Sequence, residues 1–482
     1  MSALSRLAAL LVSTILALVV QHPASSREDG PPARHIEGIW EGPLKGGPFE
    51  TLVAFKIAAR ADGSLTATAN VVEHGLRDLA CGKVTFADDK LTIEMPDFKG
   101  RYEGKLSGDG RSFDGRWKQG GLALPLALVH VVKVTELRRP QHPTKPYPYR
   151  EEDVSFDNPA AKIKLAGTLT LPPGDGPFPA VVLVTGSGPQ DRDETVQLHK
   201  PFLVLADHLT RQGIVVLRFD DRGVGKSEGR QEGATSADFA TDAYAALCLL
   251  KGRKEIDPRR IGLAGHSEGG WMAEMVAADH ADDVAFIILL ANTGVPGESL
   301  ALAQAEDFSR SLGASNDELR LTLALFEDLV AVIKAPGPSD GCRQRLIEAA
   351  QTFAARLTEK ERKLIGADKE SWWTSAVDRW SEPWLQFSIR YDPAVTLRRV
   401  QCPVLAMIGQ KDIQVRPKEN LAAIAAALAA GGNQSVTIRE MPGLNHLFQT
   451  SATGLAAEYS RIEETFAPAA LETISTWILN VK

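Results

Sequence analysis

The chain has 482 residues, of which 44% are hydrophobic, and this length and composition suffice for two domains with substantial cores. Its formal net charge is -7 and its isoelectric point is near 5.9. Because nucleic-acid binding depends on clustered lysines and arginines that neutralise phosphates, this charge balance argues against a nucleic-acid partner.

The first predicted element is a signal peptide over residues 1–26. Arg6 ends a short basic segment, residues 7–20 are uncharged and apolar, and residues 23–26 supply small side chains for cleavage. Such a run is short for a bilayer core of about 30 Å, so we expect export and no stable membrane span after signal removal. An uncleaved anchor is the alternative. The mature protein is expected to be periplasmic or secreted.

Residues 27–137 have the pattern of a small antiparallel β-barrel, lipocalin-like in outline. Short alternating runs such as 51–55 and 65–69 are separated by Asp-Gly turn pairs at the even spacing of a meander. Trp40 and Trp117 each lie two residues after a glycine, near the two ends of the predicted sheet. Two roles are open for the barrel: a binder of lipid or substrate, or a cover or docking module whose interior is filled by side chains.

Residues 138–153 are predicted to form a stiff linker, because prolines occupy positions 140, 143, 146 and 148. The following residues, 154–482, are predicted to be the catalytic domain. Its first glycine-rich loop, 185–189, follows the apolar strand 180–184. Small residues let backbone amides approach a developing oxyanion. The N–H of Ser187 is the favoured donor and that of Gly188 the alternative.

A second glycine-rich loop, Gly223–Ser227, ends like a phosphate-binding P-loop. The first glycine of that motif would fall at position 220, which is Asp220. A carboxylate there would repel phosphate, so a nucleotide-hydrolysing function is rejected.

The most informative motif is Gly-His-Ser-Glu-Gly at 265–269, a G-x-S-x-G nucleophile elbow. It follows the apolar run 261–264 and opens a helical segment, which is the strand–turn–helix context that the motif requires. Ser267 is therefore the predicted nucleophile. The backbone N–H of Glu268, the residue after the nucleophile, is the predicted first donor of an oxyanion hole.

In this type of site the acid and then the histidine follow the serine along the chain. Only two histidines follow Ser267. His280 lies thirteen residues further along the same predicted helix, roughly 20 Å away at about 1.5 Å per residue. His446, which comes in a loop after the β-rich run 435–438, is therefore the predicted general base.

The predicted acid is Asp412, which opens the loop after the buried strand 403–409. An aspartate in a loop is more often a turn or cap residue, but strand context and chain order reverse that expectation here. Asp378 and Asp392 are weaker alternatives, since they fall in a segment of helical character.

Between these parts, about residues 293–392 become helical and are predicted to form a cap over the active site. Aromatic residues at helical spacing are usually core, but the core of a cap borders the substrate pocket. Some of four clustered tryptophans are therefore expected to line it: Trp372, Trp373, Trp380 and Trp384.

The four cysteines form no disulfide framework. Cys248 and Cys402 fall in apolar surroundings and are expected to be buried thiols, and a bridge between Cys81 and Cys342 would link different domains. No spacing of metal ligands occurs, and we expect neither a metal nor another cofactor.

Taken together, several motifs resemble bacterial α/β-hydrolase carboxylesterases of the EstD kind: Thr185–Glu194, Phe219–Ser227, Gly265–Gly270 and Tyr391–Pro393. The resemblance covers roughly residues 154–482 and implies a doubly wound α/β-hydrolase sheet with a helical cap. One departure is Thr185, which stands where many α/β hydrolases carry the histidine of a His-Gly motif. The backbone N–H donor of the predicted oxyanion hole does not depend on that histidine side chain.

The expected function is hydrolysis of a small-molecule carboxylic ester by a Ser267, His446 and Asp412 triad through an acyl-enzyme. Two other interpretations remain open. One is a serine aminopeptidase, which would need carboxylates near the pocket to bind a free amine; Glu382 in the cap is available. The other is a non-catalytic binding protein on a hydrolase scaffold.

Overall fold

The computed structural model describes residues 36–45, 50–119, 122–336, 341–367 and 377–481. The predicted signal peptide, 1–26, lies outside the described residues. The described chain divides into two compact units. One contains the residues up to Arg138 together with Tyr459–Glu463, and the other contains the remainder from Arg139 onward.

The first unit is a closed antiparallel sheet, as predicted. Ten strands occur in its described part, and eight of them form a ring because the last strand pairs with both the first and the eighth. The strands are β1 (Gly38–Lys45), β2 (Glu50–Ala59), β3 (Leu65–Val71), β4 (Leu76–Ala80), β5 (Val84–Ala87), β6 (Lys90–Met95), β7 (Gly100–Leu106), β8 (Ser112–Gln119), β9 (Leu122–Pro125) and β10 (Leu128–Val131). Short 3-10 turns occur at Val72–His74 and Pro96–Phe98.

Aromatic side chains fill the inside of this barrel. Trp40, Phe55, Tyr102, Phe113 and Trp117 are all buried in one hydrophobic cluster. Trp40 packs edge-on against Phe113, with ring centroids 4.6 Å apart. The interior is thus occupied by the barrel's own residues, as small barrels usually are.

The proline-rich segment that follows is bound to the second unit. The side chain of Gln141 donates to the carbonyl of Phe466 at 2.8 Å and accepts from its N–H at 2.9 Å. The hydroxyl of Tyr149 donates to Asp207 at 2.9 Å. The next strand begins at Arg150, inside the predicted linker 138–153.

The second unit contains a mixed sheet of eight described strands in the order β11-β12-β14-β13-β15-β16-β17-β18. The first two strands run antiparallel to their neighbours, and β13 to β18 pair in parallel. Their bounds are β11 (Arg150–Asn158), β12 (Ile163–Leu171), β13 (Phe178–Val184), β14 (Val215–Phe219), β15 (Ile256–His266), β16 (Phe286–Leu290), β17 (Val404–Gly409) and β18 (Val436–Met441).

Helices cover both faces of this sheet, which explains why its central strands are apolar at nearly every position. One face carries α2 (Ser236–Lys251), α3 (Glu268–Asp279) and α10 (Pro417–Ala430). The opposite face carries α1 (Pro201–Arg211) and α11 (Pro468–Asn480). The predicted doubly wound α/β-hydrolase architecture is confirmed.

A helical insertion separates β16 from β17, as the prediction of a cap required. It contains α4 (Gly297–Ser311), α5 (Asn316–Lys334), α6 (Cys342–Arg356), α7 (Glu359–Ile365) and α8 (Pro383–Arg390), followed by the short α9 (Pro393–Leu397). The insertion has its own hydrophobic core. Its ends meet, since the N–H of Gly297 donates to the carbonyl of Tyr391 at 2.8 Å.

All four cysteines are free thiols, but the expectation that Cys248 is buried is wrong. The run 245–250 is apolar in sequence, yet successive residues of a helix point about 100° apart. Ala246, Leu247 and Leu250 face the core, and Cys248 is exposed. Within the described residues, no helix is long and apolar enough to cross a membrane.

Candidate active site

Ser267 stands at a strained turn between β15 and α3. Its backbone has φ 52° and ψ -121°, in a region that L-residues avoid. Its N–H donates to the carbonyl of Leu290 at 2.8 Å, which holds the turn to the end of the neighbouring strand. The serine is half-buried. This is the geometry that a nucleophile elbow requires.

Two glycines make the turn possible. A Cβ atom at Gly265 would lie 2.1 Å from the carbonyl oxygen of Gly269, and one at Gly269 would lie 2.2 Å from that of Val184. Any side chain at these two positions would force α3 away from the sheet. The small residues of the motif are therefore a steric requirement of the close helix–strand approach.

The predicted acid and base contact each other. Asp412 Oδ2 lies 2.7 Å from His446 Nδ1, and both side chains are buried. The other oxygen of the carboxylate accepts the N–H groups of Gln414 at 2.8 Å and Val415 at 2.9 Å. These bonds fix the carboxylate plane, so that one oxygen faces the imidazole.

The alternatives considered for these roles lie elsewhere. Asp378 is exposed and pairs with Arg343 at 2.7 Å. Asp392 caps α9 by accepting the N–H of Ala394 at 3.0 Å. His280 is at the end of α3, stacked on Tyr244.

A second buried pair joins three loops around the elbow. His266 Nδ1 lies 2.8 Å from Glu194 Oε1, and His266 Nε2 lies 3.0 Å from the carbonyl oxygen of His446. The same oxygen of Glu194 accepts the N–H of Gly186 at 2.8 Å. The residue beside Ser267 is therefore bonded directly to the backbone of His446.

The glycine-rich loop after β13 borders the serine. A Cβ atom at Gly186 would lie 3.3 Å from the Cβ of Ser267. Because the Gly186 N–H is bonded to Glu194, the next amides along the loop, those of Ser187 and Gly188, are the candidates for an oxyanion. Glu268 begins α3, where backbone N–H groups have no partner within the helix.

The carboxyl group of Glu268 is buried and binds the cap. Its Oε1 accepts a hydrogen bond from Ser236 Oγ at 2.6 Å and another from Trp384 Nε1 at 2.7 Å. Burial raises the pKa of this carboxyl, and hydrogen bonds from Ser236, Ser187 and Trp384 oppose that shift. A side chain of α8 is thereby bonded to the residue next to the nucleophile.

Asp221 supports the oxyanion loop from the next strand end. It accepts Thr185 Oγ1–H at 2.6 Å and the N–H of Gln190 at 2.9 Å. Desolvation, with the charges of Glu268 and Asp242, raises the pKa of Asp221 to about 8. Asp221 therefore holds the oxyanion loop through one side chain and one backbone group.

The tryptophans have different surroundings. Trp380 is buried in the cap core, edge-on to Phe326 with centroids 4.9 Å apart. Trp384 is half-buried between the elbow and the guanidinium of Arg379, which lies 4.8 Å from its ring. Trp372 and Trp373 lie outside the described residues.

Sequence reasoning missed the roles of His266, Glu194 and the carboxyl group of Glu268. A signal was present: both variable positions of the elbow motif are ionisable, next to a strand that is otherwise apolar. Such groups survive burial only with partners. No cluster of side chains suited to a metal ion occurs among the residues that the structure describes.

Residues 161–440 match the family described as X-Pro dipeptidyl-peptidase (S15 family). Esterase EstD of Thermotoga maritima is 29% identical over 315 residues, which cover 65% of this chain. The chain spans 63% of the length of that relative.

Solved structures that match part of the chain include esterases. Esterase Pf2001 of Pyrococcus furiosus has a TM-score of 0.40 at 15% identity, covering 69% of this chain and 93% of that one. Est1E from Butyrivibrio proteoclasticus, solved with ferulic acid, has a TM-score of 0.40 at 16% identity, covering 68% of this chain and 98% of that one.

Proposed function

The chain belongs to the X-Pro dipeptidyl-peptidase (S15) family, and on this premise we propose that it is a serine hydrolase that cleaves carboxylic esters through an acyl-enzyme. The observation that supports this most strongly is the bond between Asp412 and His446 beside the elbow of Ser267. A nucleophile, a base and an orienting acid are the minimum that the reaction needs.

In the proposed first step, the Oγ of Ser267 attacks the ester carbonyl carbon while His446 takes the hydroxyl proton. The His446 proton then passes to the leaving alkoxide as the bond from carbon to the alcohol oxygen breaks. Asp412 holds the imidazole by its Nδ1–H and stabilises the imidazolium that forms. Water, activated by the same histidine, attacks the acyl-enzyme and releases the acid.

The negative charge of each tetrahedral intermediate is proposed to bind the backbone N–H groups of Glu268 and Ser187, with Gly188 as the alternative to Ser187. A preorganised donor of this kind is worth roughly 3 kcal/mol in the transition state. The N-terminal position of Glu268 on α3 adds the favourable end of the helix dipole.

Ester cleavage is favoured over aminopeptidase action by the state of the nearby carboxyl groups. A free substrate amine would need an acidic group that is available to it. Ser236 and Trp384 bond one oxygen of Glu268, and burial raises the pKa of this carboxyl, which disfavours the charged form that an ammonium group would need. Glu382 pairs with Arg379. Peptidase action remains the second candidate, because the family that the chain matches carries that name.

We further propose that the protein is exported and that some of the four cap tryptophans, Trp384 among them, border the substrate pocket. The bond from Trp384 to Glu268 supports this for α8.

The test is a series of p-nitrophenyl esters assayed beside aminoacyl- and X-Pro-nitroanilides, with fluorophosphonate labelling. We expect ester turnover, with little nitroanilide turnover, and both turnover and labelling should disappear in Ser267→Ala. Faster nitroanilide turnover would favour the peptidase. A label that persists in Ser267→Ala would show that another residue is the nucleophile.

A further inference from the structure

The buried pair of His266 and Glu194 lies outside the proposed triad, yet its bonds connect the elbow to the glycine-rich loop after β13 and to the loop of His446. Glu194 is 2% exposed and His266 is 7% exposed. Through Gly186, Glu194 holds the loop that carries the candidate oxyanion donors. Through its Nε2, His266 holds the backbone of His446. No other contact described above joins these two loops directly.

The acceptors around the imidazole determine where its protons lie. The carbonyl of His446 can only accept, so Nε2 of His266 must carry a proton. Glu194 Oε1, which already accepts the N–H of Gly186, faces Nδ1 at 2.8 Å. A short contact there requires a second proton, shared between Nδ1 and the carboxylate. The arrangement is thus complete only while this proton is bound.

We propose that the His266–Glu194 pair positions the oxyanion loop against His446, and that the site is correctly assembled only while the pair keeps its shared proton. This inference rests on the proposed ester hydrolysis. The two residues are positioning residues, since they act through Gly186 and His446 and touch no reacting atom.

The surroundings favour the protonated state of His266. Burial disfavours a charge on His266, but the charge and hydrogen bond of Glu194, the carbonyl of His446 and the charge of Asp412 together raise its pKa above the ordinary value. The imidazole of His446 also faces the ring, with centroids 4.8 Å apart, so a charge on either imidazole disfavours a charge on the other. Once the proton is lost, a nitrogen lone pair faces the Glu194 carboxylate at 2.8 Å, and the two groups repel.

The pair should therefore set the alkaline limit of ester hydrolysis. Glu194→Gln keeps an oxygen that can accept the Gly186 N–H, but it removes the negative charge that supports the second proton of His266. We expect the alkaline limb of kcat to move to lower pH by about 1–3 units, the range for loss of an opposite charge at this distance. KM should change little, because substrate binding is not the step affected.

The matched control is Glu228→Gln, the same chemical change at an exposed carboxylate that accepts the N–H of Lys164 in the same unit. Its pH profile should coincide with that of the wild type. If Glu194→Gln lowers kcat by the same factor at every pH and leaves the limb in place, the pair has only a structural role and the proposal is overturned.

A second readout avoids dependence on the variant's folding. In the wild-type protein with ¹⁵N-labelled histidine, one buried imidazole should be protonated at both nitrogens at neutral pH and should titrate together with the alkaline limb. The absence of such a histidine would overturn the proposal. Failure of the proposed function is distinguishable, since it would appear as faster nitroanilide than ester turnover in the wild type, or as ester turnover that survives Ser267→Ala.

Discussion

The carboxylate of Asp412 divides its bonding between two tasks. One oxygen is saturated by the N–H groups of Gln414 and Val415, which leaves the other for His446. The loop therefore orients the Asp412 carboxylate towards His446 before substrate binds. The bond from the second oxygen to His446 is what distinguishes this orienting acid from an aspartate that merely caps a turn.

Asp412→Asn should reduce ester kcat by about 10⁴-fold, because an amide in this place stabilises the wrong imidazole tautomer. Steady-state kinetics measure the effect. Asp378→Asn is the control, since that residue pairs with Arg343 at the surface of the cap, and it should retain normal turnover. Normal turnover in Asp412→Asn would mean that His446 is oriented by another group.

Asp221 should make the protein less stable as the pH rises. Its pKa is about 8 in the folded protein and about 3.9 in an unfolded chain, so the folded state binds the extra proton between these values. The contribution to stability is complete below about pH 4 and is lost as the pH rises to about 8. Asp221→Asn does not titrate, so its Tm should improve relative to the wild type from pH 5 to pH 8. A constant difference in Tm would contradict this.

At the scale of elements, α3 anchors the cap through two buried carboxyl groups. Glu268 at its start accepts from Trp384, and Glu274 two turns later accepts from the hydroxyl of Tyr391 at 2.7 Å. Burial raises the pKa of Glu274 well above its ordinary value. The helix that carries the nucleophile elbow therefore also determines where α8 and the end of the cap lie.

Trp384→Phe tests this anchor, because it removes the indole N–H and keeps an aromatic ring. We expect a loss of about 1 kcal/mol in the free energy of unfolding and an altered ratio of long-chain to short-chain ester kcat/KM. Trp477→Phe is the matched control: it removes the indole bond from Trp477 in α11 to Thr437 in β18, away from the cap. Equal selectivity in the two variants would argue against a role of α8 in the pocket.

Much of the arrangement of strands, helices and candidate site residues could be predicted from the sequence. The elbow follows from a local pattern, since strand, glycine turn and helix are contiguous. The choice of His446 and Asp412 followed from chain order, and the contact between them agrees with it. The His266–Glu194 pair could not be found in this way, because its partners are 72 residues apart and no pattern links them.

Single-residue burial was harder to predict than element type. Cys248 was expected to be buried because its neighbours are apolar, whereas the rotation of α2 exposes it. The prolines of the linker indicated stiffness but not the bonds that Gln141 and Tyr149 make with the second unit. Such partners depend on tertiary structure rather than on composition.

At the scale of the whole molecule, the barrel and the hydrolase have separate hydrophobic cores. The barrel core combines aromatic and aliphatic side chains, all of which come from the barrel's own residues. We therefore propose that residues 27–137 form an independent domain and 154–482 the catalytic one. Every group proposed to act in catalysis lies beyond residue 180.

Deletion of residues 27–137, with the segment from 138 retained, should leave a soluble enzyme that hydrolyses small esters at near-normal kcat/KM. Circular dichroism and the p-nitrophenyl ester series measure fold and activity. Loss of only long-chain or polymer-linked esters would indicate that the barrel admits substrate. Failure to fold, or equal loss of all esters, would contradict the independence of the domains.

The hydrogen bond between Gly297 and Tyr391 has a consequence for how the cap could have been acquired in evolution. Closing a flexible loop as long as the insertion between β16 and β17 costs about 4 kcal/mol of chain entropy, counting only the term that depends on loop length. An insertion that folds by itself brings its two ends together, so that the flanking strands are in effect joined by a short connection. Strands β16 and β17 then pair as though they were joined by a few residues. In evolution, caps of different sequence could thus be exchanged at this point, altering substrate choice while the strands that carry Ser267, Asp412 and His446 stay in register.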